Sequence, residues 1–291
     1  MVLAYTILVV LFGAVVRITG SGAGCGQHWP TCQGEVVHLP QSTEAAIEFT
    51  HRLTSGVSVL LVVALPIGAW RVFPRSHPVR HAALASALLM LVEALIGAAL
   101  VLFRLVADDI SPARAIILPL HLTNTSLLLG AVAAVVWGSG TAALQLRLPQ
   151  ARVEWLIVAL LGVVLGTSAT GAVTALGDTV LPVAELTSSA SPHFLERFRA
   201  VHPFVAVGAA LALFGAAPVL ATARPQARAW VYGSVALAVS QLAVGVVNVL
   251  LRAPGWMQVV HLAVAVLLWL ALVGVWFAAS EHRPSERTHA V

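Results

Sequence analysis

The sequence predicts an all-α membrane protein of eight transmembrane helices, built as two tandem four-helix bundles related by an internal repeat. Three observations predict it. Of 291 residues, 59% are hydrophobic and 10% charged, where a soluble domain has roughly a quarter of its residues charged. The apolar residues fall in eight blocks, most near the ~20 residues that cross a bilayer. The second four blocks then echo the first four.

The blocks run at about 2–18, 50–70, 82–103, 115–137, 153–174, 200–222, 228–251 and 257–279. The first opens at Met1 without a basic start or a small-residue cleavage site, and reads as a retained helix. Arginines mark every second loop. Arg71, Arg75 and Arg80 follow the second block, Arg147 and Arg152 the fourth, Arg224 and Arg228 the sixth, and Arg283 and Arg287 the eighth. Glu35, Glu44, Asp108, Asp109, Asp178, Glu185 and Glu196 fall in the opposite loops. The positive-inside rule then places both termini in the cytoplasm of a prokaryotic cell and the long first loop outside a multi-pass plasma membrane. All sixteen basic residues are Arg, spread over loops and helix ends rather than on one face. That pattern reads as topology and excludes a nucleic-acid surface.

Internal similarity has a drifting register. A shift of 151 places Thr170-Gly171 on Thr19-Gly20 and His202 on His51. A shift of 148 places "QLAVGVVNVLLR" on "EALIGAALVLFR", and a shift of 140 places His261 on His121. The predicted halves are 1–140 and 150–281, with a cytoplasmic tail at 282–291. The copies differ where chemistry would sit. Cys25 and Cys32 fall opposite Leu176 and Val183, Glu48 opposite Arg199, and Arg52 opposite Pro203.

The first loop carries the protein's two cysteines in "TGSGAGCGQHWPTCQG". Outside the membrane the compartment is oxidising, so Cys25 and Cys32 read as a disulfide. A metal site of Cys25, His28 and Cys32, or two free thiols, are the alternatives. His51, His121, His202 and His261 each lie a turn or two inside the outer end of an even-numbered block. Ionisable residues inside a span are costly and tend to be functional. Two imidazoles facing each other across a four-helix bundle suit haem iron. Small residues after them, "SGVS" and "AVA", leave room for a flat macrocycle. Arg52, Arg197 and Arg199 can meet propionates at the outer rim. Glu48 lies one turn before His51, and only the first half has such a carboxylate. It can accept or relay protons there, or simply pair with Arg52.

The segments "GAVVRITGSGAGCGQHWPTCQG", "IEFTHRLTSG", "LPLHLTNTSLLLGA" and "MQVVHLAVAVLLW" resemble the signature segments of the haem A synthase family, and the resemblance spans essentially the whole chain. It implies oxidation of a porphyrin methyl group of haem O to a formyl group, giving haem A for terminal oxidases. It also implies that His202 and His261 ligate a resident haem b cofactor, and that His51 and His121 lie at the substrate haem. Glu48 would be required for the chemistry, and Cys25 and Cys32 would belong to the extracytoplasmic loop of one branch of the family. The second half keeps "ATG" at 169–171 but has no Arg matching Arg17.

The implied partners are haem O, the haem O synthase that makes it, a terminal oxidase assembly pathway and membrane lipid; an oligomer is compatible. Two other classes fit the four histidines: a bis-His electron-transfer cytochrome b, and a haem transporter or chaperone. The first predicts equal environments in both halves, and the second predicts no change to the macrocycle. No Walker loop, dinucleotide fingerprint or hydrolase triad is present.

Overall fold

The computed structural model describes residues 1–37, 39–140, 144, 148–181 and 193–280. The expected tail 282–291, together with Arg147 and Glu185, lies outside the described residues. Eight α-helices follow one another: α1 (Val2–Ile18), α2 (Thr43–Val72), α3 (Pro78–Leu102), α4 (Pro112–Gly140), α5 (Arg152–Val180), α6 (Phe194–Ala223), α7 (Arg228–Leu250) and α8 (Gly255–Ser280). Seven of them are long and apolar enough to cross a membrane; α1, at 17 residues, is a shorter apolar helix.

Several helices begin well before their apolar blocks. α2 starts at Thr43 rather than near 50, because Ser42 caps it through a bond from the Ala45 N–H at 3.1 Å. α6 starts at Phe194 rather than near 200. There Glu196 Oε1 accepts the His193 N–H at 3.2 Å, closing the first turn. Hydrophobicity marks where a helix enters lipid, whereas caps mark where it starts. The histidines therefore stand eight (His51), nine (His121), eight (His202) and six (His261) residues past the first residue of their helices.

Neighbours in sequence are neighbours in space. Within the first four helices, α1 packs on α2 and α4, and α3 on α2 and α4. Within the second four, α5 packs on α6 and α8, and α7 on α6 and α8. The two sets meet where α4 packs on α5 and α8, and α1 on α8. Trp269 of α8 sits at that seam, donating from Nε1 to Ser126 O of α4 at 2.6 Å. Much of the apolar core lies away from the histidines: Ile157, Leu160, Leu213, Leu220, Val231 and Leu272 form one cluster, and Val62, Met90, Leu128 and Val132 another.

The ends of α3 and α7 match closely. Arg104 and Arg252 both adopt positive φ, 57° and 63°. Each is followed by a bond reaching back along the helix, Leu105 N–H to Leu100 O at 2.8 Å and Ala253 N–H to Asn248 O at 2.7 Å. These are Schellman-type helix ends built on arginine where glycine is usual.

Charged side chains tie helices together. Glu154, an acid among the arginine-rich loops, is buried at the start of α5 and accepts from Arg224 Nη2 at the end of α6 at 2.9 Å. Arg17 joins α1 to both α5 and α8. It donates to Ala175 O at 2.7 Å, Thr179 Oγ1 at 2.5 Å and Gln258 Oε1 at 2.9 Å. Arg17→Ala leaves Gln258 Oε1 without its donor, while Ala175 O keeps the bond from Thr179 Oγ1 at 2.8 Å; an acceptor left unpaired in a buried place costs about 1–3 kcal/mol. The expected outcome is a correctly inserted protein with a lower unfolding temperature in detergent, followed by tryptophan fluorescence.

Candidate functional site

Three of the four imidazoles lie against a glycine of the preceding helix. A Cβ at Gly13 would come within 3.2 Å of His51 Cε1, one at Gly171 within 3.0 Å of His202 Cε1, and one at Gly245 within 3.2 Å of His261 Cε1. These contacts revise the expected register of the first helices. Gly13 and Gly171 hold equivalent places, a shift of 158 rather than 151, so "GAVV" falls on "GAVT" and Arg17 on Ala175. From α1 to α4 the shifts then run 158, 151, 148 and 140.

The fourth imidazole differs. A Cβ at Gly97 would meet nothing within 4 Å. His121 turns instead toward Glu93 of α3, with Nδ1 3.3 Å from Oε1. Sequence reasoning missed Glu93. The signal was available: Glu93 is an acid inside the apolar run "LLMLVEALIG", and the 148 shift sets it opposite Gln241.

In the second half two histidines pair across the bundle. The rings of His202 and His261 are 6.5 Å apart at 86°. Two imidazoles sharing one metal through bonds of about 2 Å have ring centres about 6 Å apart. His202 Nδ1 lies 3.0 Å from Thr170 Oγ1, which leaves Nε2 for a ligand. His261 Nε2 lies 3.0 Å from Gln241 Nε2, and its buried Nδ1 has no hydrogen-bond partner among the described residues. His51 packs edge-on against Phe12 at 5.6 Å, and its buried Nδ1 is likewise without a partner among the described residues. His51 and His121 are within electrostatic reach of each other. Buried imidazole nitrogens without partners, set against glycine backbones, are a donor set that fits haem iron.

Above the first pair sits the cysteine loop. Cys25 and Cys32 form a disulfide, and both are fully buried. That removes the metal-site alternative with His28, since both sulfurs are occupied. Glycine is required at position 24, where a Cβ would come within 2.5 Å of the Ala45 backbone nitrogen. The loop therefore lies directly on the first turn of α2. Glu48 is 3% exposed, and its Oε2 accepts the Cys25 N–H at 2.7 Å. Arg52 donates to the other oxygen of Glu48 and to the carbonyls of His28 and Thr31. Arg52 thus clamps the loop to α2; the expected propionate role would compete with those bonds.

In the second half, Arg199 bonds Asp178 Oδ1 at 2.6 Å, Gly177 O at 2.9 Å and Leu181 O at 2.6 Å. Its Nη1 is buried without a partner among the described residues and could meet an anion. Asp178 corrects the expectation that only the first half has a carboxylate by its histidine. It is an arginine-paired acid on α5, whereas Glu48 stands on the histidine's own helix.

Residues 1–273 match the family described as cytochrome oxidase assembly protein, COX15-CtaA. The chain is similar to a protoheme IX farnesyltransferase of Thermus thermophilus, with 46% identity over 288 residues, covering 94% of this chain and 46% of that protein. It is similar to the heme A synthases of Shouchella clausii (41%) and Bacillus cereus (42%), each over 97 residues and 33% of this chain. Those matches cover 32% and 31% of the two synthases. The chain thus spans less than half the length of its Thermus relative.

The loop yields a test. Alkylation of the denatured protein should add mass at Cys25 and Cys32 only after reduction, read by intact-mass spectrometry. A loop this short contributes about 2–3 kcal/mol. Cys25→Ala with Cys32→Ala is therefore expected to insert and fold with reduced thermal stability.

Proposed function

This chain belongs to the cytochrome oxidase assembly protein family, and we propose that within it the chain is a haem A synthase, oxidising a methyl group of haem O to a formyl group. The observation that carries the reading is the imidazole pairing of His202 and His261, with ring centres 6.5 Å apart. The relatives named heme A synthase support it. The Thermus relative, named for farnesyl transfer, extends well beyond the aligned segment. This chain covers 46% of that protein and is itself similar to heme A synthases, so the farnesyltransferase name is not carried over to it.

In this reading the eight helices are membrane spans and the two sets of four are copies of one repeat. The matched glycine–histidine contacts and the matched ends of α3 and α7 support this. Both termini face the cytoplasm, and the disulfide loop faces outward. His202 and His261 hold a resident haem b, which when bound supplies a redox centre that exchanges single electrons. Thr170 fixes the His202 ring, and the free Nη1 of Arg199 is available to a propionate.

His51 and His121 hold the substrate haem. With water as the oxygen donor, conversion of the methyl to a formyl group (R–CH3 + H2O → R–CHO + 4 H+ + 4 e−) would release four protons at the carbon and four electrons to an external acceptor. Glu48 is placed to take those protons, because it stands three residues before His51 on nearly the same helical face. The Cys25 N–H and Arg52 fix both of its oxygens. The disulfide loop covers it, which keeps it nearly out of bulk water.

Two expected outcomes test the assignment. Glu48→Gln keeps the shape and the bond from Cys25 but cannot take a proton. It should lower haem A formation by ~10²–10⁴, with haem b content near normal, measured by pigment extraction from expressing membranes. Haem A made at the parent rate would reduce Glu48 to a partner of Arg52. Separately, His202→Ala or His261→Ala should deplete the tightly bound haem b, while His51→Ala or His121→Ala should abolish turnover and spare it.

A further inference from the structure

The environment of His121 is assembled by polar groups that its counterpart lacks. Asn124 and Thr125 follow His121 by three and four residues, so all three share one face of α4. That face meets Glu93 of α3. Asn124 Nδ2 donates to Glu93 Oε2 at 2.5 Å and to Leu89 O at 3.0 Å. Thr125 donates from Oγ1 to Glu93 Oε1, beside His121 Nδ1 at 3.3 Å. Both carboxylate oxygens are thus held in place before any ligand binds.

The matching place in the second half has the opposite character. Gln241 stands where Glu93 does, and the residues following His261 by three and four are Val264 and Ala265. Neither side chain can donate a hydrogen bond, and Gln241 Oε1 is buried without a partner among the described residues. Gln241 offers His261 an amide nitrogen at 3.0 Å. One half therefore presents a carboxylate to its α4 imidazole, and the other presents an amide to its α8 imidazole.

We infer that Glu93 is a positioning residue: fixed by Asn124 and Thr125, it sets a carboxylate 3.3 Å from His121 Nδ1, a charge-pair contact that closes to a hydrogen bond once iron takes Nε2, and so makes His121 a stronger electron donor to iron than His261. The inference rests on the haem reading above. A carboxylate behind a metal-bound imidazole fixes its tautomer and raises its basicity, and loss of such a partner typically costs about 10–100-fold in affinity. Greater basicity favours ferric over ferrous iron. The first site would then carry a carboxylate behind Nδ1 of its α4 imidazole, which the second lacks, since Gln241 meets Nε2 of His261 and leaves Nδ1 without a partner among the described residues.

The test uses the full-length protein in detergent, loaded with ferric protoporphyrin IX, and reads each ferric EPR signal during a redox titration. Glu93→Gln should raise the midpoint potential of the signal that His121→Ala abolishes. A tenfold loss of ferric preference corresponds to about 59 mV for a one-electron couple. The other signal should not move. Unchanged potentials in Glu93→Gln, with the His121-dependent signal intact, overturn the inference and leave the haem reading standing. Failure of the parent protein to bind the porphyrin at any of the four histidines overturns the haem reading and this inference with it. If Glu93→Gln does not accumulate, Thr125→Val serves. It keeps the carboxylate, removes one of its donors, and should lower the same potential; no shift again overturns the inference.

Discussion

An imidazole inside an apolar helix bundle has to find its polar partner within the protein, because lipid offers none. That constraint organises this molecule. Each of the four histidines answers it differently: His202 with the Thr170 hydroxyl, His261 with the Gln241 amide, His121 with the Glu93 carboxylate, and His51 with the ring edge of Phe12. In three cases the neighbouring helix contributes a glycine so that its backbone can approach the ring. Helix spacing at the histidine end is therefore set by imidazole against backbone. At the other end it is set by leucine, valine and alanine packing. Among the described residues, only the histidine end retains buried imidazole nitrogens without hydrogen-bond partners.

The same constraint explains what the sequence reveals. Long apolar blocks locate the helices, since hydropathy responds to the solvent a helix crosses. They do not locate the helix starts. α2 and α6 begin at Ser42 and His193 caps lying in polar sequence, and the histidines consequently sit two turns inside their helices. The four histidines were legible because they recur at matched positions in matched helices. The register between α1 and α5 was not: Thr19-Gly20 resembles Thr170-Gly171 as text, yet the backbone that meets the imidazole is at Gly13 and Gly171. A dipeptide match carries less information than the ring contact that fixes it.

Glu93 was hidden for a related reason. It lies in α3, a helix whose one histidine, His81, stands at the opposite end, and its partners Asn124 and Thr125 are 31 and 32 residues away in sequence. Nothing local marks it except the expense of an acid in an apolar run. Arg52 was visible, but its commitment was not. An arginine at an outer rim reads as a free cation for an incoming anion. Here its donors hold the His28 and Thr31 carbonyls and Glu48 instead.

That commitment joins the outer loop to the proposed chemistry. Cys25 contributes its sulfur to the disulfide and its backbone N–H to Glu48. Arg52 grips both sides of the same arrangement. Glycine at position 24 lets the loop press on α2 near Ala45, three residues from Glu48. The carboxylate is therefore held by a covalently closed loop rather than by its own helix alone. Both acids pair with an arginine, Glu48 with Arg52 and Asp178 with Arg199, but among the described residues only Glu48 also accepts from a disulfide-closed loop. A resident redox centre needs its imidazoles held rigidly and its surroundings inert. A reacting substrate needs a proton acceptor whose position survives repeated binding and release. The disulfide loop closed over α2 holds such a carboxylate in the first half, and none of the described residues of the second half do so; in the proposed reading that difference separates a substrate site from a resident one.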